Sequence, residues 1–131
     1  MIMETKQRVL VVDDEPGILN FVRINLRLAG YEVITTTSGE EALQLAEEEK
    51  PDIMLVDILM QPLTGLDVLT RLRAFSQLPV IVFTGNDRVV SMALQEGAND
   101  FIAKPFNPDI LTEKIKSCLA TSQTAKGINE G

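Results

Sequence analysis

Asp52-Ile53-Met54-Leu55-Val56-Asp57 is the stretch on which the fold turns: four apolar residues in a row that stop at a carboxylate. A run this short, apolar on both faces, suits a strand buried in the middle of a parallel sheet. Three other runs end in the same way. Val9 to Val12 stop at Asp13-Asp14, Val80 to Phe83 stop at Thr84, and Phe101 to Ala103 stop at Lys104. Four strand ends therefore offer acids, a hydroxyl and an ammonium, and if they lie side by side they form one polar site on an apolar scaffold.

Between these runs the spacing turns helical. Ile18, Phe21, Val22, Leu26 and Ala29 predict a helix from Ile18 to Leu28 that Gly30 ends, behind a turn whose acids Asp13-Asp14-Glu15 are placed to cap it. Tyr31 to Thr37 reads as a β-branched strand. Ser38 with Glu41 has the form of a capping box for a second helix with Ala42, Leu43, Leu45 and Ala46 inward, which closes at Glu47-Glu48-Glu49-Lys50 before Pro51. A third helix is expected over Gly65 to Ala74, with Val68, Leu72 and Phe75 on one side. A fourth is expected from about Arg88 to Glu96, stopped by Gly97, and a fifth strand over Asn99 to Ala103. The fifth helix, Pro108 to Ala120, turns Leu111, Ile115, Cys118 and Leu119 inward. Strands alternating with helices give repeated right-handed βα units, here an α/β three-layer sandwich with a five-stranded parallel sheet. Residues 1–120 are read as one domain. Residues 121–131, rich in polar and small residues, are expected to form a flexible tail or linker stub.

Composition removes several function classes. The chain has 131 residues, a formal charge of -7 and no histidine. Without imidazole, zinc-hydrolase and Ser-His-Asp chemistry each lack a required part. The acidic balance and the lack of a Lys/Arg cluster disfavour direct contact with nucleic acid phosphates. The start lacks a secretory pattern and no apolar run reaches the ~18 residues of a membrane span, so a soluble, cytoplasmic protein with no membrane contact is expected. The single cysteine, Cys118, reads as a helix flank residue in a reducing compartment. No Gly-rich phosphate loop or dinucleotide fingerprint is present.

In an open parallel sheet, ligands sit beyond the carboxyl ends of the strands, where Asp13, Asp14, Asp57, Thr84 and Lys104 all fall. Singly, Asp14 and Thr84 are also plausible helix caps, Lys104 a solvated turn residue and Asp57 a loop acid; together on one edge they read as a site. Two carboxylates ~5 Å apart at an effective dielectric of about 20 repel by roughly 3 kcal/mol. One lysine cannot offset three acids, and an oxygen-only ligand set calls for Mg²⁺. Asp57 then reads as a nucleophile that takes a phosphoryl group, Asp13 and Asp14 as metal ligands, and Lys104 and Thr84 as partners of phosphoryl oxygens. Transfer through a loose transition state needs positioning and charge neutralisation more than a base.

The chain resembles the receiver domains of two-component response regulators, including the chemotaxis receivers. The residues that carry the resemblance are Val11-Val12-Asp13-Asp14-Glu15, Leu55-Val56-Asp57, Met60 with Gly65, Phe83-Thr84-Gly85, and Gly97-Ala98-Asn99-Asp100-Phe101-Ile102-Ala103-Lys104-Pro105-Phe106. The resemblance implies a flavodoxin-like (βα)5 fold with strand order 2-1-3-4-5. It implies Mg²⁺ held by Asp14, Asp57 and the carbonyl of Leu59, with Asp13 acting partly through water, and a cis Lys104-Pro105 bond. It implies a phosphoryl group supplied by a partner histidine kinase or histidine phosphotransfer protein. On phosphorylation Thr84 would swing toward Asp57 and Phe101 would turn into the vacated space, changing the surface of the fourth helix, fifth strand and fifth helix. That surface would serve a downstream protein target, an output domain, or a weak homodimer of an otherwise monomeric chain.

Departures from the family pattern are Gln61-Pro62, where proline usually stands one place earlier, Gly85 in place of a common alanine, and Phe101 in place of a common tyrosine. An apolar Leu59 beside the site is expected to influence water access. Two rivals are weighed. A metal-dependent phosphatase would want an acid where Leu59 stands, and a non-phosphorylated interaction scaffold would be expected to have lost an acid or the lysine.

Overall fold

Each apolar run that ends in a polar residue forms a strand of one sheet. The computed structural model describes the backbone of residues 5–130 and the side chains of residues 5–122. Its elements are β1 (Arg8–Val12), α1 (Pro16–Leu28), β2 (Glu32–Thr36), α2 (Gly39–Glu48), β3 (Ile53–Asp57), α3 (Gly65–Arg73), β4 (Val80–Thr84), α4 (Val90–Gln95), β5 (Asp100–Ala103) and α5 (Pro108–Glu130). The strands are parallel in the order β2-β1-β3-β4-β5. Strand order reverses between β1 and β3, so a crevice opens at the carboxyl ends of those two strands.

Alternation along the strands divides the interior in two. Val9, Val11, Ile53, Leu55, Ile81, Phe83 and Ile102 pack with Leu19, Val22 and Leu26 of α1 and Leu111, Ile115 and Leu119 of α5. Leu10, Val12, Met54, Val56, Val80 and Val82 pack on the opposite face with Ala42 of α2, Val68, Leu69 and Leu72 of α3, and Ala93 of α4. All five residues of β3 and of β4 are buried, which is why those runs show no polar alternation. Among the described residues no helix is long and apolar enough to cross a membrane.

Local chemistry sets the helix starts. Ser38 Oγ accepts from the Glu41 N–H at 3.2 Å, as its spacing predicts, but the reciprocal half of the expected box is not made, since the Ser38 N–H donates to Thr36 Oγ1 at 3.1 Å. Thr64 and Asp67 form a reciprocal capping box at the start of α3, with bonds of 3.1 and 3.0 Å. The first turn of α1 differs from expectation: Glu15 is its N-cap and makes no side-chain cap bond.

Other boundaries shift as well. Ahead of α4, Asp87–Val89 form a 3-10 turn capped by Asn86, whose Oδ1 accepts from the Arg88 N–H at 2.9 Å. The expected stop at Ala120 is overrun, because helical backbone continues to Glu130 with no proline to break it; residue 131 and the side chains of 123–130 lie outside the described residues. Phe21 and Phe75, expected inward, are 43% and 49% exposed. The inward stripe of α1 is instead Leu19, Val22 and Leu26, leaving Phe21 on the flank with its ring 6.1 Å from that of Phe106. Phe75 falls beyond the last turn of α3, which buries Val68, Leu69 and Leu72.

Candidate functional site

Asp57 is the last residue of β3, and its backbone is pressed from behind by the start of α3. The Gly65 N–H donates to the Ile58 carbonyl at 2.9 Å, and a Cβ at Gly65 would stand 2.3 Å from the Asp57 carbonyl oxygen. Only glycine permits this approach. It fixes the height at which the Asp57 side chain leaves the sheet. The carboxylate is then held by the Leu59 N–H, which donates to Oδ1 at 3.1 Å. Asp57 itself is 3% exposed.

Asp13 follows β1 and is fully buried. Its N–H donates to the Thr36 carbonyl at 3.2 Å, extending the β1–β2 ladder by one residue. Its Oδ1 accepts from the Glu15 N–H at 2.9 Å, so the acid braces its own turn and does not cap α1. Oxygen atoms of Asp13, Asp14, Glu15 and Asp57 all lie within 4.8 Å of one another. Asp14 and Glu15 are exposed while Asp13 and Asp57 are buried, so the cluster opens to solvent on one side. Glu15, read from sequence only as a capping acid, belongs to this cluster.

Lys104 follows β5 and bridges the two buried acids. Its Nζ is 3.0 Å from Asp13 Oδ2 and 3.0 Å from Asp57 Oδ2, and it lies 5.3 Å above the centre of the Phe83 ring. Burial acts on this ammonium most strongly and would lower its pKa. The hydrogen bonds and charges of Asp13 and Asp57 together outweigh burial, so the net shift is upward. For Asp13, burial pushes the carboxyl pKa above its ordinary value against the opposing Glu15 N–H and Lys104 ammonium, with the Asp57 charge adding to the rise. The Lys104-Pro105 bond is cis, as expected; so is Gln61-Pro62, where the sequence left the path of the loop open.

Thr84 ends β4 and is 1% exposed. Its hydroxyl accepts from the Asn86 N–H at 3.0 Å and points its own hydrogen toward the Asn86 carbonyl at 3.5 Å. Phe101 lies opposite Val82 in the β4–β5 register and Thr84 opposite Ala103, so Thr84 and Phe101 face the same side of the sheet. Phe101 is partly buried against the cluster on that side. Leu59 exposes 62% of its surface beside the acids.

Sequence reasoning passed over two cations at the opposite edge of the sheet, by the amino ends of β4 and β5. Arg73, at the end of α3, donates from Nε and Nη2 to the Gly97 carbonyl at 3.2 and 2.8 Å, and also reaches the Ser76 carbonyl and Asn99 Oδ1. Its half-burial lowers its pKa. Lys114, on α5, meets Asp100 Oδ1 at 3.1 Å and lies 5.1 Å from the centre of the Phe101 ring. Neither stands at the carboxyl end of a strand, the signal that located Asp13, Asp14, Asp57, Thr84 and Lys104.

The site thus joins an oxygen-rich, partly open acid cluster to a bridging ammonium and a buried hydroxyl. Its all-oxygen donor set fits a hard divalent cation and no soft metal. A family model for the response regulator receiver domain matches residues 9–116. A probable transcriptional regulator, ycf27, of Guillardia theta is 39% identical over 127 residues, 94% of this chain and 49% of that protein. The alkaline phosphatase synthesis transcriptional regulatory protein PhoP of Bacillus subtilis is 37% identical over 95% of this chain and 53% of its own length. The chain spans about half the length of these curated relatives. A CheY-like response regulator receiver domain protein from Methanospirillum hungatei superposes with a TM-score of 0.87 at 31% identity, covering 92% of this chain and 99% of that one. With the sheet order, the acid cluster and the family match in agreement, the chain belongs to the response regulator receiver domain family and is a signalling module of two-component systems.

Proposed function

We propose that this domain accepts a phosphoryl group on Asp57 from a histidine of a partner kinase or phosphotransfer protein, and that the modification switches the α4–β5–α5 surface. The observation that carries the proposal is the Lys104 ammonium 3.0 Å from both Asp13 and Asp57 at the carboxyl edge of the sheet. In the transfer, an Asp57 carboxylate oxygen forms a bond to phosphorus while the bond from phosphorus to the partner's histidine nitrogen breaks; the histidine leaves with the electron pair. Lys104, already anchored on both acids, turns one N–H toward an incoming phosphoryl oxygen, and the Leu59 N–H holds the carboxylate in line. Asp14, Asp57 and the Leu59 carbonyl would hold Mg²⁺, with Asp13 acting partly through water. When bound, the ion supplies charge neutralisation between carboxylate and phosphoryl oxygens.

Thr84 reports the event. Its hydroxyl is committed to Asn86 in the turn ahead of α4, and Gly85 between them leaves that turn free to rearrange. When the hydroxyl moves to a phosphoryl oxygen, the turn is released and space opens on the face that Phe101 shares. Phe101 moves inward, and the surface offered to a downstream protein, an output domain or a second copy changes as a two-state shift. A cytoplasmic location goes with this reading. Direct nucleic acid binding does not, since the chain carries a formal charge of -7 and the relatives named as transcriptional regulators are about twice its length.

The test is to incubate the protein with acetyl phosphate and Mg²⁺ and measure intact mass. One added phosphoryl group is expected on wild type, none on Asp57→Asn, and none on wild type after chelation. No adduct on wild type, or an undiminished one on Asp57→Asn, refutes the mechanism and favours an interaction scaffold.

A further inference from the structure

Phe101, the aromatic of the proposed switch, is held from outside the sheet. β5 is the edge strand, so a helix packed on one face can send a long side chain round the edge to the other. Lys114 does this. It belongs to α5, whose Leu111, Ile115 and Leu119 cover the face opposite to Phe101, yet its ammonium lies 5.1 Å from the centre of the Phe101 ring. The same ammonium is 3.1 Å from Asp100 Oδ1, and that oxygen also accepts the Phe101 N–H at 2.8 Å. One carboxylate oxygen therefore fixes both the backbone of Phe101 and the cation above its ring. Lys114 and Asp100 are each 31% exposed, so the arrangement is reachable from solvent but not freely hydrated.

We propose that Lys114 is a positioning residue that clamps Phe101 in its resting place, and so sets how readily the domain switches. The inference rests on the switching role proposed for Phe101 above. A cation over a ring and an ion pair at the surface are each modest interactions. Here they act on the residue whose displacement defines the second state, so they bias the population directly. An inward-moving ring leaves the ammonium behind and loses the cation–π contact. The resting state is stabilised by that amount, and the fraction competent for phosphoryl uptake falls accordingly.

The experiment uses the whole chain labelled with 4-fluorophenylalanine at its five phenylalanines, the Phe101 ¹⁹F resonance being assigned by Phe101→Leu. Spectra are recorded for Lys114→Met and Lys114→Arg in an Asp57→Asn background, where no phosphorylation at residue 57 can contribute. The Phe101 resonance is expected to move in Lys114→Met, which keeps the stem and drops the charge, and to stay in place in Lys114→Arg. In the otherwise native chain, uptake from acetyl phosphate should rise about threefold to tenfold in Lys114→Met, which corresponds to ~0.7–1.4 kcal/mol of lost restraint, and return to the native rate in Lys114→Arg. Raising the salt concentration should move the native resonance in the direction of Lys114→Met, a check that requires no substitution.

An unmoved resonance in Lys114→Met, or the same displacement in Lys114→Arg, overturns the clamp. A moved resonance with unchanged uptake overturns its link to switching. If the native chain takes up no phosphoryl group, the receiver chemistry itself has failed, and the resonance still decides whether Lys114 holds Phe101.

Discussion

Replacing Gly65 with alanine tests the geometry that sets Asp57 in place. The added Cβ would lie 2.3 Å from the Asp57 carbonyl oxygen, 2.7 Å from Ile58 Cα and 2.9 Å from the Asp57 carbonyl carbon. All three are backbone atoms, so no rotamer change relieves the overlap. Restoring ordinary contact means moving the start of α3 about 1 Å from the end of β3, which strains the Gly65 N–H bond to Ile58. Overpacking costs about 1–3 kcal/mol, and an obstacle made of backbone places this case near the upper figure. Against a total stability on the order of 5–15 kcal/mol, the loss is plain in urea unfolding followed by circular dichroism. Gly17→Ala is the control: nothing lies within 4 Å of its Cβ, and in a helix alanine is favoured over glycine by up to about 1 kcal/mol. The two substitutions should therefore shift the unfolding midpoint in opposite directions. Phosphoryl uptake by folded Gly65→Ala should also fall by roughly tenfold to a hundredfold, since a displaced nucleophile loses alignment. Gly65→Ala within about 1 kcal/mol of wild type, or Gly17→Ala as damaging, would refute the reasoning.

Three further outcomes follow from the site. Mg²⁺ should raise the melting temperature, by the equivalent of about 2.7 kcal/mol at a hundred times its Kd, and Asp14→Asn should abolish most of the rise; equal rises in both proteins would remove Asp14 from the ligand set. Lys104→Met should cost about 2–3 kcal/mol without metal, less than a fully buried pair would, because the lysine is 20% exposed while Asp13 and Asp57 are almost wholly enclosed; added Mg²⁺ should recover more stability there than in wild type, as calorimetry would show. The Asp67 carboxyl is held below its ordinary pKa by the Thr64 N–H and hydroxyl. Its contribution is therefore present above the ordinary carboxylate range and lost as pH falls through the lowered value. Asp67→Ala should lower the melting temperature at neutral pH and flatten its fall on the acid side, and an unchanged acid limb would contradict the capping role.

How much of this was legible in the sequence depended on whether the signal was local. Residues 53–56 and 80–83 are apolar without alternation because β3 and β4 are buried on both faces, and the polar residue after each run marked the site. Ser38 and Glu41 announced α2 because a cap bond spans three residues. Long-range geometry left no comparable trace. Nothing near Arg73 predicts that its guanidinium reaches the Gly97 carbonyl, and nothing near Lys114 predicts that it crosses the sheet edge to Phe101. Asp13 and Asp14 were read as site acids as well as caps, but Glu15 only as a cap, because acids before a helix usually serve as caps. In the fold Asp57 is brought beside all three because β1 pairs with β3, a property of the whole sheet. Phe21 and Phe75 misled because apolar residues at helical spacing suggest one buried face, whereas Phe21 sits one position off the inward stripe of α1 and Phe75 lies beyond the last turn of α3.

The division of the interior by the sheet bears on how this domain can vary. The two apolar clusters share no side chain, so a change of volume beneath α1, at Leu26 for instance, is absorbed by neighbours that do not touch Leu72 beneath α3. Substitutions on opposite faces should be nearly additive, and those on one face coupled. A lineage could therefore repack the side beneath α1 and α5 while Thr84, Phe101 and α4 kept their setting, or retune those three while the packing beneath α1 stayed fixed. Five strands that serve as a floor for one half and a ceiling for the other make the two halves separately heritable.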